Sequence, residues 1–398
     1  MRIAFVGNQD NNAYRLCKWA RAHGADAHLY LMAQEKGARS RPELVDRELE
    51  AGRQGYPPWI HTYDDRGPVS FLLPGRLARQ MARQYDVVVT SGATGLLAAN
   101  HFRKLPVVHY SLGSEVSVFP RLLFSLTASP AWRGVSLLTR RALRRVRKVI
   151  TNYRGEAAVL RRLGHRDKIV ILGFPEDTRG NRARVAPELL AELNARYSRY
   201  DRVFLWLSRL NFLNASLPEC KRADVFLEAF ERVVRDGRHN VRAVIGAHGA
   251  DVGAFQALAA EKRLDGHIDY VPHLPFTQLL AYLSIANGIL FDVPDRTKGA
   301  LGGATREALS VGAVVIRGID EELMHLCYGG RCPIAGIDDV ETCYRAMVNV
   351  LSLNAEEFER LRKAHAEWAE RYLHYDHNVP RFLDLLREVV FCDSCREP

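Results

Sequence analysis

Residues 203–316 constrain the fold of this 398-residue chain most strongly, because apolar strands and amphipathic helices alternate there. The segment opens with a continuous apolar run at 203–207, followed by a helix predicted over 223–234. Further apolar runs at 241–245 and 314–316 predict two more strands. This alternation predicts a parallel sheet, and such sheets bind ligands beyond the carboxyl ends of their strands.

The first half of the chain alternates in the same way. A polar stretch at 34–65 is predicted to form loops, and a charged stretch after Gly173-Phe174-Pro175 is predicted to carry a helix at 187–199. The predicted strands lie at 3–6, 28–31, 86–90, 106–110, 149–150 and 168–172, and the helices at 13–23, 96–103, 135–146 and 156–163. We therefore predict two doubly wound α/β domains, at 1–175 and 203–371, joined by a linker at 176–202.

Length and composition fit this division, since a domain usually has about 150 to 200 residues. No run of about 18 apolar residues predicts a membrane-spanning helix, and the first residues are typical of a strand and turn rather than a signal peptide. The seven cysteines are scattered, which favours reduced thiols in a cytoplasmic protein. Cys392 and Cys395 are interpreted as part of a tail rather than as zinc ligands.

The positive charge is concentrated in one segment. Residues 133–168 contain twelve Lys or Arg and two acidic residues, a surplus equal to the net charge of +10 of the whole chain. Arginines there alternate with leucines at helical spacing, which fits either docking on an anionic membrane surface or a solvated basic face. No nucleic-acid-binding module is recognisable, so we expect no nucleic-acid partner.

Several residues at the predicted carboxyl edge of the second sheet suit a diphosphate. Arg209 follows the strand at 203–207, and Lys221 precedes the helix at 223–234. Fixed positive groups of this kind stabilise phosphate charge, although the pair could also be two solvated side chains. Gly302, Gly303 and Ala304 precede a helix predicted at 305–310. Their backbone N–H groups could bind a phosphate; the alternative is an ordinary turn.

The chain carries, in order, the motifs Gly7-Asn8, Gly113-Ser114-Glu115, the tract 147–152, Leu163-Gly164 with 168–173, Ser208-Arg209-Leu210, Lys221 and Glu307-Ala308-Leu309-Ser310-Val311-Gly312. With these motifs in this order, the chain resembles a GT-B-fold glycosyltransferase, and within that fold glycosyltransferase family 4. The resemblance implies two Rossmann-like domains that face a central cleft, the first for the acceptor and the second for the nucleotide sugar. It also implies that the helices predicted at 355–372 and 379–390 return the chain to the first domain, and that residues 372–398 pack on that domain.

The resemblance also implies roles for the donor-side residues. Arg209 and Lys221 would contact the donor phosphates, and Glu307 would accept hydrogen bonds from the ribose hydroxyls. His273 and Leu274 would line the base pocket. The chain departs from the family pattern at Gly299, where a second glutamate is usual, although charged neighbours lie nearby at Asp295, Arg296 and Lys298.

On the acceptor side, the resemblance implies that Glu115 is a polar cleft residue. Leu112 occupies the usual place of a histidine, and His109 could substitute for it; the alternative is a buried, hydrogen-bonded strand histidine. The cleft of this domain would further include Gly7, Asn8, Gly113 and Ser114.

The expected activity is transfer of a hexose-type sugar from a nucleoside-diphosphate sugar to a glycan, lipid-linked or cell-envelope acceptor. The enzyme would be retaining, and since no Asp-x-Asp motif occurs we expect no metal, and no cofactor besides the donor. We expect the enzyme in the cytoplasm, either free or peripherally bound at the inner membrane surface. Two alternatives stay open: a catalytically weak sugar-nucleotide-binding or scaffold protein, and another GT-B enzyme such as a sugar-nucleotide epimerase.

Overall fold

The chain forms two compact units, each built on one parallel sheet flanked by helices. The computed structural model describes residues 1–32, 41–46, 49, 56–63, 75–125, 128–214, 220–293, 299 and 301–394. Unit 1 comprises Met1–Leu172 and Asn378–Pro398, and unit 2 comprises Gly173–His377. The predicted α/β fold class with two doubly wound domains is confirmed.

The sheet of unit 1 has seven strands in the order β3-β2-β1-β4-β5-β6-β7, and every neighbouring pair is parallel. The strands are β1 Arg2–Val6, β2 Asp26–Met32, β3 Ile60–Tyr63, β4 Val87–Ser91, β5 Val107–Tyr110, β6 Lys148–Thr151 and β7 Ile169–Ile171. The α-helices are Asn12–Ala22, Gly75–Gln84, Gly92–Ala98, Ser114–Ser117, Pro130–Arg145 and Arg154–Arg162. The final helix of the chain, Tyr375–Ser394, places Phe382 against the rings of Phe5 and Tyr110 in this unit.

The sheet of unit 2 has six strands in the order β10-β9-β8-β11-β12-β13, again all parallel. The strands are β8 Arg202–Trp206, β9 Val241–Gly246, β10 Ile268–Val271, β11 Gly288–Asp292, β12 Val314–Arg317 and β13 Ala335–Gly336. The helices are Thr178–Ala183, Pro187–Tyr197, Ala223–Asp236, Val252–Glu261, Phe276–Leu283, Gly303–Ser310, Glu321–Tyr328, Val340–Ser352 and Ala355–Trp368, the last continuing as a π-helical turn, Ala369–Leu373.

Aromatic packing fixes the strands that carry the candidate site in unit 2. Phe204 on β8 contacts the rings of Phe230 and Phe291 at centroid distances of 5.9 and 5.3 Å, and all three side chains are fully buried. The helix Ala223–Asp236 turns a face of Phe226, Phe230 and Val233 to this core, at the three- and four-residue spacing of an amphipathic helix. The carboxyl ends of β8 and β11 are therefore held side by side.

Several local predictions differ from the structure; the helix predicted at 135–146, for example, begins at Pro130. The stretch predicted as loops contains β3, whose alternating Ile-His-Thr-Tyr sequence is typical of an edge strand. The helix predicted at 96–103 begins earlier, at Gly92, because this glycine has a φ of +67° and makes the sharp turn out of β4. The predicted linker at 176–202 contains the two helices Thr178–Ala183 and Pro187–Tyr197 and ends at the first residue of β8, and it belongs to unit 2.

Candidate functional site

The candidate donor site lies at the carboxyl edge of the unit 2 sheet. Asp292 is the last residue of β11 and Arg317 the last residue of β12. Arg209 follows β8 by three residues, and Lys221 stands two residues before the helix Ala223–Asp236. Since β8, β11 and β12 are neighbours, these four side chains come from one stretch of the edge.

Asp292 is the centre of a buried cluster of charges. Its side chain is 1% exposed and accepts a hydrogen bond of 2.6 Å from the Lys221 ammonium group. The hydroxyl group of Thr305 donates to the other carboxylate oxygen over 3.0 Å. Nη1 of Arg317 lies 3.4 Å from that oxygen and donates to the Thr305 hydroxyl group over 3.2 Å.

The charged groups of this cluster shift one another's pKa values. Burial alone would raise the pKa of Asp292, but Lys221 and Arg317 outweigh burial and lower it to about 2. Burial lowers the pKa of Lys221, and Arg317 and Arg209 lower it further, while Asp292 opposes them. Arg209 is therefore close enough to act on the Lys221 ammonium group through space.

The predicted phosphate cradle adjoins the cluster. The helix Gly303–Ser310 begins two residues earlier than predicted, with Gly302 at its N-cap position. A Cβ atom on Gly302 would lie 3.7 Å from Nη1 of Arg317 and 3.9 Å from Nζ of Lys221. The backbone at this N-terminus thus lies directly over the cationic groups, an arrangement that suits an anion. Ala304 is the second residue of the helix.

The helix is held in place from its other side. Arg306 is 7% exposed, lies 4.5 Å from the ring centroid of Phe174 and has Nε 3.5 Å from a carboxylate oxygen of Glu176. The amide group of Asn181 donates to the Ser310 hydroxyl group over 2.9 Å. Glu307 is half-buried and lies two residues after Thr305, which contacts the charged cluster.

Sequence reasoning did not identify Asp292, Arg317 or Thr305. The available signal was a charged residue that ends an apolar strand: Ile-Leu-Phe-Asp in β11 and Val-Val-Ile-Arg in β12. A polar group directly after a buried strand lies at the edge where parallel sheets bind ligands.

The residues predicted to line the base pocket lie farther along the same edge. His273 is exposed and Leu274 half-buried in the segment after β10. The His273 ring contacts the edge of the His248 ring at 5.1 Å, and His248 follows β9, which lies next to β8. The two histidine rings thus form a small aromatic surface beside the strand that leads to Arg209.

Gly299 is buried among the described residues. Its charged neighbours Asp295, Arg296 and Lys298 lie outside the described part of the chain, as does Cys395.

In unit 1, Gly7 and Asn8 build the turn after β1. Gly7 has a φ of +83°, and a Cβ atom there would lie 2.3 Å from the carbonyl oxygen of Ser91. The fully buried Asn8 side chain donates to Asn11 and accepts from the backbone N–H of Tyr14, both over 2.8 Å. Both residues thus shape the backbone at this edge.

Glu115 and His109 come together, but both are buried, with exposures of 1% and 0%. Nε2 of His109 lies 3.6 Å from Oε1 of Glu115, which also accepts from the backbone N–H of Leu112 over 2.5 Å. The other ring nitrogen of His109 lies 3.0 Å from the Thr90 hydroxyl group. In this conformation His109 is therefore a buried, hydrogen-bonded strand histidine, as in the alternative given for it from the sequence.

A second carboxyl group, which the sequence did not single out, joins this cluster. Glu156 is 2% exposed and accepts a hydrogen bond from the Thr151 hydroxyl group. Burial and the charge of Glu115 raise the pKa of Glu156 to about 8. Burial alone would also raise the pKa of Glu115, but His109 and the Leu112 N–H group outweigh it and lower that pKa. At neutral pH the pair therefore carries one negative charge and one proton.

Gly113 and Ser114 form the turn beside this cluster. Gly113 has a φ of +139°, and a Cβ atom there would meet nothing within 4 Å, so the turn borders open space. Ser114 is half-buried at the start of the short helix Ser114–Ser117.

Among the described residues, no group of three or more His, Cys, Asp or Glu side chains could hold a metal ion. Nor does that part of the chain contain a helix with the length and apolarity needed to cross a membrane.

Comparison with known proteins agrees with this architecture. The model of Glycosyltransferase Family 4 matches residues 10–178, and no curated protein matches the chain in sequence. HepE from Anabaena in complex with UDP-glucose is 14% identical, with a TM-score of 0.66, and the match covers 98% of this chain and 100% of that one. A glycosyltransferase from Rickettsia africae has a TM-score of 0.65 at 14% identity, covering 98% of each chain.

Sucrose-phosphate synthase from Thermosynechococcus elongatus has a TM-score of 0.63 at 14% identity, covering 98% of this chain and 100% of that chain. At such low sequence identity, these structural similarities establish the fold alone. The chain thus has the GT-B fold, and its predicted resemblance to glycosyltransferase family 4 is confirmed by the family match over residues 10–178.

Proposed function

We propose that this chain is a glycosyltransferase that moves a hexose-type sugar from a nucleoside-diphosphate sugar to an acceptor hydroxyl group. The observation that carries the proposal is the cationic cluster of Arg209, Lys221 and Arg317 beneath the N-terminus of the helix Gly303–Ser310. Among the described residues of this cluster, three positive groups and the carboxylate of Asp292 leave a surplus of about two charges, which matches a diphosphate. HepE, which shares the fold, binds UDP-glucose.

In the proposed reaction, the bond between the anomeric carbon and the donor phosphate breaks, and a bond to the acceptor oxygen forms on the same face of the sugar. The acceptor proton passes to the departing phosphate oxygen, so no protein base is required. Arg209, Lys221 and the N–H groups at Gly302 and Gly303 stabilise the charge that grows on the diphosphate. These fixed cations take the role that a divalent metal has in other transferases, so the proposed reaction is metal-independent. Glu307 would hold the ribose.

A catalytically weak sugar-nucleotide-binding protein is the second candidate. The observation in its favour is the burial of Glu115 and His109, together with leucine at position 112 and glycine at 299. Transfer or donor hydrolysis with any acceptor in a broad panel excludes this candidate. A sugar-nucleotide epimerase is distinguished by formation of the 2-epimer of the donor sugar in the absence of acceptor.

The proposed acceptor is a glycan or a lipid-linked molecule at a membrane surface. On the helix Pro130–Arg145, Trp132 is 48% and Leu137 59% exposed, and Phe124 just before it is 74% exposed. The same helix carries Arg133, Arg140, Arg141, Arg144 and Arg145. We propose that this apolar and basic face docks on an anionic membrane, since such surfaces combine exposed apolar side chains with lysine and arginine.

The donor proposal is tested by thermal unfolding with UDP, GDP, ADP and their sugars. A ligand at about 100 times its dissociation constant stabilises the folded state by roughly 2.7 kcal/mol, so one nucleotide should raise the melting temperature clearly. Arg209→Ala and Lys221→Ala should remove most of that shift. Arg235→Ala is the matched control, because its side chain is 74% exposed near the far end of the helix Ala223–Asp236. Equal shifts in the wild type and both site variants would exclude these residues from the site.

A further inference from the structure

The burial of Lys221 needs a physical explanation. Its side chain is 24% exposed, and two like charges, Arg317 and Arg209, lie close enough to disfavour its charged form. A lysine in such surroundings tends to lose its proton, and a neutral amine attracts phosphate weakly. The carboxylate of Asp292, 2.6 Å from Nζ, opposes these effects and favours the charged form of Lys221.

Asp292 is itself fixed from two other elements. The Thr305 hydroxyl group, on the helix Gly303–Ser310, donates to Oδ2, and Arg317 on β12 lies 3.4 Å from the same oxygen. Oδ1 is thereby turned to Lys221. Because Arg317 is 2% exposed and also donates to the carbonyl oxygen of Gly318, its guanidinium group is fixed as well.

This network sets the position of Lys221 relative to the phosphate cradle. The Cβ position of Gly302 lies 3.8 Å from Oδ2 of Asp292 and 3.9 Å from Nζ of Lys221, so the carboxylate holds the ammonium group against the helix N-terminus. A lysine side chain is flexible, and fixing it before the ligand arrives reduces the entropy lost on binding.

We propose that Asp292, held by Arg317 and Thr305, is a positioning residue that keeps Lys221 protonated and fixed beneath Gly302 for a diphosphate ligand. This rests on the proposed function, because it assumes that the anion bound there is the diphosphate of a nucleotide. Asp292 touches no phosphate in this proposal, and its effect passes entirely through Lys221.

The test is the pH dependence of pyrophosphate affinity in Asp292→Asn, measured by calorimetry from pH 7 to pH 9. The dissociation constant of the variant is divided by that of the wild type at each pH, which cancels the ionisation of the ligand. Without Asp292, burial, Arg317 and Arg209 all favour the neutral amine, so this ratio should rise about tenfold or more as the pH increases. A merely structural role would change the ratio equally at every pH.

Two further variants make the result specific. In Asp292→Asn combined with Lys221→Arg the ratio should be independent of pH, because arginine stays charged throughout this range. Asp269→Asn is the matched control: this carboxylate is paired with Arg242 on the same sheet and lies on β10. It should leave the ratio near one at all pH values.

Thr305→Val covers the case in which Asp292→Asn does not fold. It removes one hydrogen bond to Asp292 and should give a smaller rise in the same direction. A flat ratio in every folded variant, with pyrophosphate bound by the wild type, overturns the role of Asp292 and leaves the donor site standing. If the wild type binds neither pyrophosphate nor any nucleoside diphosphate, the proposed function falls together with this inference.

Discussion

At the scale of single residues, unit 1 and unit 2 each bury a pair of interacting ionisable groups at the carboxyl edge of their sheets. In unit 2 the pair has opposite charges, Lys221 and Asp292, and the carboxylate keeps its charge because Lys221 and Arg317 lower the pKa of Asp292 to about 2. In unit 1 the pair consists of two acids, Glu115 and Glu156, and it keeps a proton instead. The difference follows from electrostatics, because two buried carboxylates close together cannot both be ionised at low cost.

The retained proton predicts a pH-dependent stability that Glu156→Gln should remove. Between the ordinary glutamate pKa of about 4.5 and the folded value of about 8, the folded state binds a proton that the unfolded state has released. Stability therefore falls as the pH rises through this window, and above it the folded state carries two buried carboxylates. Glutamine stays neutral, so urea denaturation at pH 9 should show the variant more stable by on the order of 4 kcal/mol, with little difference at pH 5.

Glu188→Gln, an exposed change on the helix Pro187–Tyr197, is the control and should follow the wild type at each pH. Parallel curves for Glu156→Gln and the wild type would show that Glu156 is ionised in the folded protein at neutral pH.

Of the donor-side residues predicted from sequence, the structure brings Arg209, Lys221 and Gly302 to one place. Sequence reasoning missed Asp292 because the partner of that carboxylate lies 71 residues away along the chain. Contacts of this kind depend on which strands become neighbours, and β8 pairs with β11 across two intervening strands and three helices. A local pattern shows a charge at a strand end, but its partner is set by the topology.

At the scale of elements, the nine strands predicted from apolar runs agree with the observed strands to within two residues at each end, whereas β10, β11 and β13 were not predicted. The edge strand β3 was missed, because one of its faces is polar and its four residues give too short an alternation. The helix Gly303–Ser310 was predicted to begin at Thr305, since glycine has a low helix propensity. Its actual start brings two more backbone N–H groups into the first turn.

The exposed face of the helix Pro130–Arg145 carries a prediction at this scale. Trp132→Ser with Leu137→Ser should lower cosedimentation with vesicles of one-third anionic lipid by about tenfold or more, since each side chain contributes roughly 1 to 2 kcal/mol when its apolar area is buried. Binding of the wild type should also weaken as salt is raised, because the arginines act on the lipid charge.

Leu326→Ser is the matched control for that experiment, with a side chain that is 48% exposed on a helix of unit 2. Equal binding by the double variant and the wild type would contradict insertion of Trp132 and Leu137 into the membrane. Uncharged vesicles should bind the wild type poorly.

At the scale of the whole molecule, unit 1 is built from two separate parts of the chain. Phe382, 1% exposed, lies with its ring centroid 6.2 Å from that of Phe5 on β1 and 6.4 Å from that of Tyr110 on β5. Phe382→Ala should therefore destabilise unit 1 by about 3 to 5 kcal/mol, the usual cost of removing a buried phenylalanine ring.

Hydrogen exchange followed by mass spectrometry measures this loss of stability in each segment of the chain. Peptides from β1 and β5 should exchange faster in Phe382→Ala, whereas those from β8 should not change, since β8 belongs to unit 2. Phe391→Ala is the control, because that side chain on the same helix is 65% exposed. Unchanged protection of β1 in Phe382→Ala would contradict a stabilising role for this ring.

The split composition of unit 1 has a consequence during synthesis on the ribosome. Residues Gly173–His377 must be translated between the last strand of unit 1 and the segment that supplies Phe382. At about 5 to 20 residues per second this takes roughly 10 to 40 s, during which the surface of β1 and β5 that later receives Phe382 stays uncovered. The nascent chain thus presents a hydrophobic patch to chaperones for far longer than a domain made of one continuous segment would.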